Sequence, residues 1–151
     1  MADFSSDLST GHRGELLLLK MCPELIRQDG RHFDFLMPSG EALELKTDTY
    51  NMDKTENFFI ERWSDLHKKR PGGPYQAFGR GATIFAYLYI KNGTCFFFNT
   101  IDLIRHIDKV EKDNKIKPVY IRNHGWTTTG YKISRKDVEH LVVDIKKCPN
   151  T

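Results

Sequence analysis

Between Phe33 and Lys46 the chain alternates apolar and polar residues with period two on both sides of a short turn, a pattern of strands and not of helices. Phe33-Asp34-Phe35-Leu36-Met37 leads through Pro38-Ser39-Gly40 into Glu41-Ala42-Leu43-Glu44-Leu45-Lys46. Pro38 presets φ at the first turn position and Gly40 suits the left-handed one, so a three-residue hairpin loop is expected. In that register Met37 pairs with Glu41, and Asp34 falls opposite Glu44. One face then carries Phe33, Phe35, Met37, Leu43 and Leu45. The other carries Asp34, Glu44 and Lys46, with Leu36 and Ala42 beside them. A slip of one residue would mix Phe35 with Glu44 and break the apolar face, so the pattern selects its own register.

Two carboxylates facing each other repel unless a cation lies between them. Oxygen ligands from one or two carboxylates, completed by water, suit Mg²⁺, with Mn²⁺ as a substitute. Lys46 lies two residues from Glu44 on the same face, roughly 6–7 Å along the strand. Its ammonium can orient an attacking water or stabilise charge developing on a phosphate. A solvated strand face would carry the same residue string, and Asp113-Asn114-Lys115 and Asp144-Ile145-Lys146 repeat it elsewhere. The first of these reads as a charged loop and the second as the end of a segment with helix-like charge spacing. Neither has an opposed acid at hairpin spacing.

With the stretch before it, the hairpin resembles the PD-(D/E)XK nucleases, the restriction-endonuclease-like superfamily. Within it, the small archaeal-type Holliday junction resolvases and phage nucleases are the most similar. The resemblance covers about Ser9 to Asp48: a first helix opening Ser9-Thr10-Gly11-His12-Arg13-Gly14-Glu15 and running through Leu16 to Met21, the Asp34 strand, and Glu44-Leu45-Lys46. It implies that Asp34 and Glu44 bind the metal, that Lys46 assists the attacking water, and that Glu15 completes the site. Phe33 stands where the family usually has proline, and beyond Asp48 no residue-by-residue match is visible. Glu15 could equally be a solvated first-turn acid favouring the positive end of the helix. The run Leu16 to Leu19 implies a helix packed on more than one side, close to the sheet.

The chain's 151 residues fit one nuclease domain, 1–151, with a sizeable core. Its 39% hydrophobic and 12% aromatic content argues for a folded protein. No apolar run reaches membrane-spanning length, and Met1-Ala2-Asp3-Phe4-Ser5-Ser6 lacks the basic start and apolar core of a signal peptide. Cys22, Cys95 and Cys148 form neither a zinc pattern nor a disulfide framework, which fits a reducing cytoplasm. The net charge of +3 is unevenly placed: residues 1–61 hold 6 Lys/Arg against 12 Asp/Glu, whereas residues 62–151 hold 17 against 8. An acidic centre bordered by a basic surface suits a metal-dependent nuclease, the metal meeting the first and DNA the second.

After the hairpin, Glu56 to Trp63 reads as a strand, with Glu61 at its end either another acid near the site or, as is commoner for such a position, facing solvent. His67 to Gln76 reads as a loop on its breaker residues. Its Lys68, Lys69 and Arg70, together with Arg80, are the candidate DNA contacts. Thr83 to Ile90 and Thr94 to Asn99 are strands joined by the Asn92-Gly93 turn, and Asp102 to about Val110 is a helix. Val119 to Arg122 and Thr127 to Ile133 flank His124-Gly125-Trp126, and Trp126 is expected in the core. Ser134-Arg135-Lys136-Asp137 resembles a capping box opening a last helix to about Leu141. The expected fold is α/β or α+β, a mixed central sheet of about five to six strands flanked by helices, restriction-endonuclease-like. The function it implies is a Mg²⁺-dependent DNA endonuclease, leaning towards branched or junction DNA cut by a homodimer. Generic endonuclease or single-strand activity fits nearly as well. The alternative is a non-catalytic nucleic-acid-binding protein of the same fold.

Overall fold

The computed structural model describes residues 4–28 and 32–148. Of the amino-terminal stretch Met1 to Ser6, Met1 to Asp3 lie outside the described residues. In chain order the elements begin with α1 (Phe4–Met21), β1 (Ile26–Arg27), β2 (Phe35–Leu36), β3 (Ala42–Asp48), β4 (Asn57–Asp65) and β5 (Arg70–Pro71). They continue with α2 (Gly73–Gly79), β6 (Ala82–Tyr89), β7 (Thr94–Asn99), α3 (Thr100–Lys112), β8 (Val119–Arg122), β9 (Thr127–Ser134) and β10 (Val142–Lys147). Short 3₁₀ turns cover Met52–Lys54 and Arg135–Leu141.

The fold is α+β. A mixed six-stranded sheet runs β1-β2-β3-β6-β7-β10, and the strand count agrees with the sequence expectation. Only β3 and β6 pair in parallel, which requires a long crossover; residues 49–81 supply it. That crossover and the later β8–β9 hairpin build a second sheet, β5-β4-β9-β8, which the sequence patterns had assigned to the central one.

Two apolar clusters sandwich the larger sheet. On one side Phe35, Leu43, Ile84, Ala86 and Leu88 meet Leu18 and Cys22 of α1. Gly14 sets how closely that helix approaches, because a Cβ there would collide with the Thr47 side chain on β3. On the other side Phe85, Tyr87, Tyr89 and Phe98 meet Phe58, Ile60, Tyr131 and Ile133 of the smaller sheet and Leu103 and Ile107 of α3. Phe58 is the hub of this layer. Its ring stands 4.8 Å from Tyr87, 5.2 Å from Phe96 and 5.5 Å from Phe98, each edge-on.

The hairpin register agrees with the sequence reading. Phe35 pairs with Leu43 and Leu36 with Ala42, Met37 N donates to Glu41 O at 2.9 Å, and Gly40 adopts φ 89°. Several expectations change. Phe33 packs with Leu36 and Ala42 instead of Phe35, because the chain bends at Asp34 and loses the strand alternation there. The loop expected over His67 to Gln76 contains β5 and the start of α2: Gly72 and Gly73 precede Pro74, and proline in the first turn opens a helix as readily as it breaks one. Ser134 precedes the Arg135–Leu141 turn but makes no capping hydrogen bond, so the capping box does not form. Asp144 and Lys146 lie on β10, an edge strand, instead of ending a helix. Trp126 is 40% exposed at the β8–β9 turn and not in the core.

Phe58→Ala should cost about 3–5 kcal/mol of unfolding free energy, the usual loss for an aromatic cut from a packed core. Urea titration followed by tryptophan fluorescence measures it.

Candidate active site

Asp34 sits where β2 gives up its pairing with β3. Its backbone N donates to Leu43 O at 3.1 Å, and its Oδ2 accepts from Leu45 N at 2.8 Å. The carboxylate thus takes the place of a strand carbonyl and is fixed against β3. Glu44 follows Leu43 and faces the other way, as period two requires. Its side chain is half-buried, and its Oε2 is buried with no hydrogen-bond partner among the described residues.

The Asp34 carboxylate lies close enough to act on Glu44. Burial, then the Asp34 carboxylate, pushes the Glu44 carboxyl up to about 9, and the Arg80 guanidinium only partly offsets this. Arg80 caps the end of α2, so the residue expected to touch DNA lies close enough to act on the acid pair. Glu15 is also near: burial and Asp34 raise its carboxyl above the ordinary range. Its carboxylate is committed to Arg27, at 2.8 Å. Among the described residues, no three His, Cys, Asp or Glu side chains form a ready-made metal cage. The donor set is therefore Asp34 and Glu44, with Glu15 beside them and held by an arginine. An orphaned carboxylate oxygen opposite a second carboxylate fits a divalent cation that keeps most of its ligands as water.

Lys46 lies on the same face of β3 as Glu44 and opens into a cleft of about 960 Å³. Its ammonium acts on Glu61 of β4, opposing the effect of burial, which raises that carboxyl. Glu61 also lines the cleft, and its carboxylate packs so tightly on Gly72 that a Cβ there would collide with it. Of the two placements expected for Glu61, the one beside the site is observed. Sequence could not pair Lys46 with Glu61, since their meeting depends on the smaller sheet folding across the end of β3. The other acid of this strand end, Asp48, is buried, bonded to the Tyr87 hydroxyl and accepting from Tyr50 N at 2.8 Å. Its role is to fix the loop after β3.

Lys68, Lys69 and Arg70 are exposed around the β4–β5 turn, and none of them is among the described residues lining the cleft. Arg70 belongs to β5, paired with Asp65, and is not part of a free loop. Lys69 stands 5.5 Å from the Trp63 ring, while Arg62 is sandwiched 4.0 Å from both Trp63 and Tyr75. The turn is a basic and aromatic surface separate from the acid pair. No helix among the described residues is long and apolar enough to cross a membrane. The chain matches no protein-family model and no curated protein.

A carboxyl raised from 4.5 to about 9 binds its proton more tightly in the folded state than in the unfolded one. Its contribution to stability is complete below about 4.5 and is lost as pH climbs through about 9. Without divalent metal, stability should therefore fall over that interval, and Glu44→Gln, which cannot ionise, should flatten the fall. Urea melts at about pH 5, 7 and 9 in chelator compare the two proteins.

Proposed function

We propose that the protein is a divalent-metal-dependent DNA endonuclease of the PD-(D/E)XK kind. The observation that carries this reading is the unpartnered, buried Oε2 of Glu44 on a side chain that the Asp34 carboxylate acts on, two residues from a lysine that opens into a cleft. Opposed acids with a raised proton affinity destabilise a fold on their own, and a cation between them removes the cost.

Asp34 and Glu44 would hold Mg²⁺, or Mn²⁺ in its place. When bound, the ion supplies positive charge to a scissile phosphate and lowers the pKa of water. Asp34 keeps one oxygen on Leu45 N and so presents the other in a fixed direction. Glu44 gives up its proton on loading, which makes metal binding pH-dependent. Lys46 donates hydrogen bonds to the attacking water or to a non-bridging phosphate oxygen as charge develops there. Glu61 is a counter-charge to that ammonium in the same cleft. Glu15 contributes its charge, and joins the ligands only by exchanging Arg27. Hydrolysis places the water's hydroxyl on phosphorus and its proton on the departing sugar oxygen, so no co-substrate is needed.

The basic turn at Lys68, Lys69 and Arg70 supplies a further DNA contact. The resemblance of the first helix and hairpin extends the substrate to branched or junction DNA and the assembly to a homodimer. A non-catalytic DNA-binding role fits less well, because two opposed buried acids give a binder nothing near a phosphate backbone.

The test is Mg²⁺-dependent cleavage of linear, single-stranded, flapped and four-way DNAs. Lys46→Ala should lower the rate by about 10²–10³ while DNA binding in chelator stays close to the parent's. Cleavage at the parent rate would sink the nuclease reading. In calorimetry, Mn²⁺ should bind the parent with proton release at neutral pH, and Asp34→Ala should abolish that binding. Replacing Lys68, Lys69 and Arg70 together with alanine should flatten the salt dependence of DNA binding by up to about three counterions.

A further inference from the structure

The cleft that receives Lys46 and Glu61 continues along the open face of the smaller sheet. We propose that this face seats an unpaired DNA strand, with bases on an apolar floor and phosphates against lysines on either bank. The proposal rests on the nuclease reading and narrows it: among branched DNAs, the protein selects those with a single-stranded arm.

Strand register defines the face. Glu61 pairs with Gly130, and Gly130 with Val119, so these three positions point the same way. One step along, Phe59 pairs with Lys132; one step back, Thr128 pairs with Ile121. The intervening residues Phe58, Ile60, Tyr131 and Ile133 are buried against the larger sheet. Period two therefore leaves Phe59, Val119 and Ile121 on the side turned away from that core, and all three line the cleft. The Phe59 ring lies against the Gly130 backbone, leaving no side chain to cover it. Ile121 is 42% exposed.

Across the cleft runs β3, which has no strand partner on its β2 side beyond Leu43 among the described residues. Tyr50, 72% exposed, and Lys54 follow it on the same bank. Lys54 and Lys132 are both exposed, and neither forms an ion pair among the described residues.

An apolar floor between cations discriminates between nucleic-acid forms. A duplex keeps its bases stacked inside and offers only phosphates, so Phe59, Val119 and Ile121 would gain nothing from it. Unpaired bases expose their faces, and stacking on such a platform tolerates any sequence. The two lysines, unpaired among the described residues and of which Lys132 belongs to the part of the sequence with excess positive charge, favour a polyanion over a peptide. The strand would lead directly to Lys46, with Glu44 two residues beyond it on β3.

Fluorescence anisotropy in chelator tests this with a dye-labelled single strand of about 12 nucleotides and a blunt duplex of the same length. The single strand should bind about tenfold more tightly. Lys132→Glu and Ile121→Asp should each weaken it about tenfold and leave duplex binding within about twofold. Equal or tighter binding of duplex, or unchanged single-strand binding by the variants, overturns the proposal. If Ile121→Asp melts early, Lys132→Glu decides alone, its side chain being exposed. Chelator prevents cleavage, so the two readings fail separately. Strand binding without any Mg²⁺-dependent cutting removes the nuclease reading, and cutting without strand preference removes this one.

Discussion

Leu45 N donates its hydrogen bond to a side chain instead of to a neighbouring strand, and the site depends on that substitution. Had β2 continued, a backbone carbonyl would have satisfied this amide and Asp34 would have pointed freely across the face. Instead the chain bends at Asp34, the carboxylate locks onto β3 at 2.8 Å, and Phe33 swings to the opposite cluster. The bend ends the pairing on this side of β3. It thereby opens the edge along which the cleft runs, and it holds one acid still while Glu44 approaches. One hydrogen bond thus couples the end of a ladder, the orientation of an acid and access to the site.

The electrostatics follow from where the polar face is buried. Glu44 and Lys46 alternate with Leu43 and Leu45 along β3 and lie on the face expected for them, whereas Asp34 is held at the strand edge by its bond to Leu45 N. That face is covered by α2 and the smaller sheet in place of open solvent, which is why Glu44 is pushed to about 9. Charge is then distributed in two acid–base sets: Glu44 with Arg80, and Glu61 with Lys46. The acid set against the lysine comes from the smaller sheet and not from its sequence neighbour Glu44. Glu15 repeats the theme at one remove, tied to Arg27 at 2.8 Å.

The hairpin was legible because three local signals agreed: period two, a Pro-Ser-Gly turn, and an apolar face that tolerates no slip. The β6–β7 and β8–β9 hairpins were legible for similar reasons, through Asn92-Gly93 and the short His124-Gly125-Trp126 link. Glu61 was not, because its environment is made by the pairing of Asn57–Asp65 with Thr127–Ser134, residues far apart in the chain. Breaker residues misled at Gly72-Gly73-Pro74, where close packing on Glu61 and a proline-opened helix both need the same small or rigid residues. Trp126 misled in the opposite sense. Its size argued for burial, yet a turn residue takes its exposure from the turn.

The smaller sheet serves two ends through one periodicity. Without it, Tyr87, Tyr89 and Phe98 would lie open on the larger sheet, an apolar patch of the kind that drives association. Covering them needs only one face of β4 and β9, and the strands supply Phe58, Ile60, Tyr131 and Ile133 for it. The alternate residues are freed from that duty and line the cleft instead. Tyr87 joins the two layers further: its hydroxyl accepts from Phe59 N at 3.0 Å and bonds to Asp48, so the floor of the cleft is tied to the end of β3. A polar contact buried in the core therefore sets the distance between the two banks. The wall that completes the core and the wall that would hold a substrate are opposite sides of the same strands.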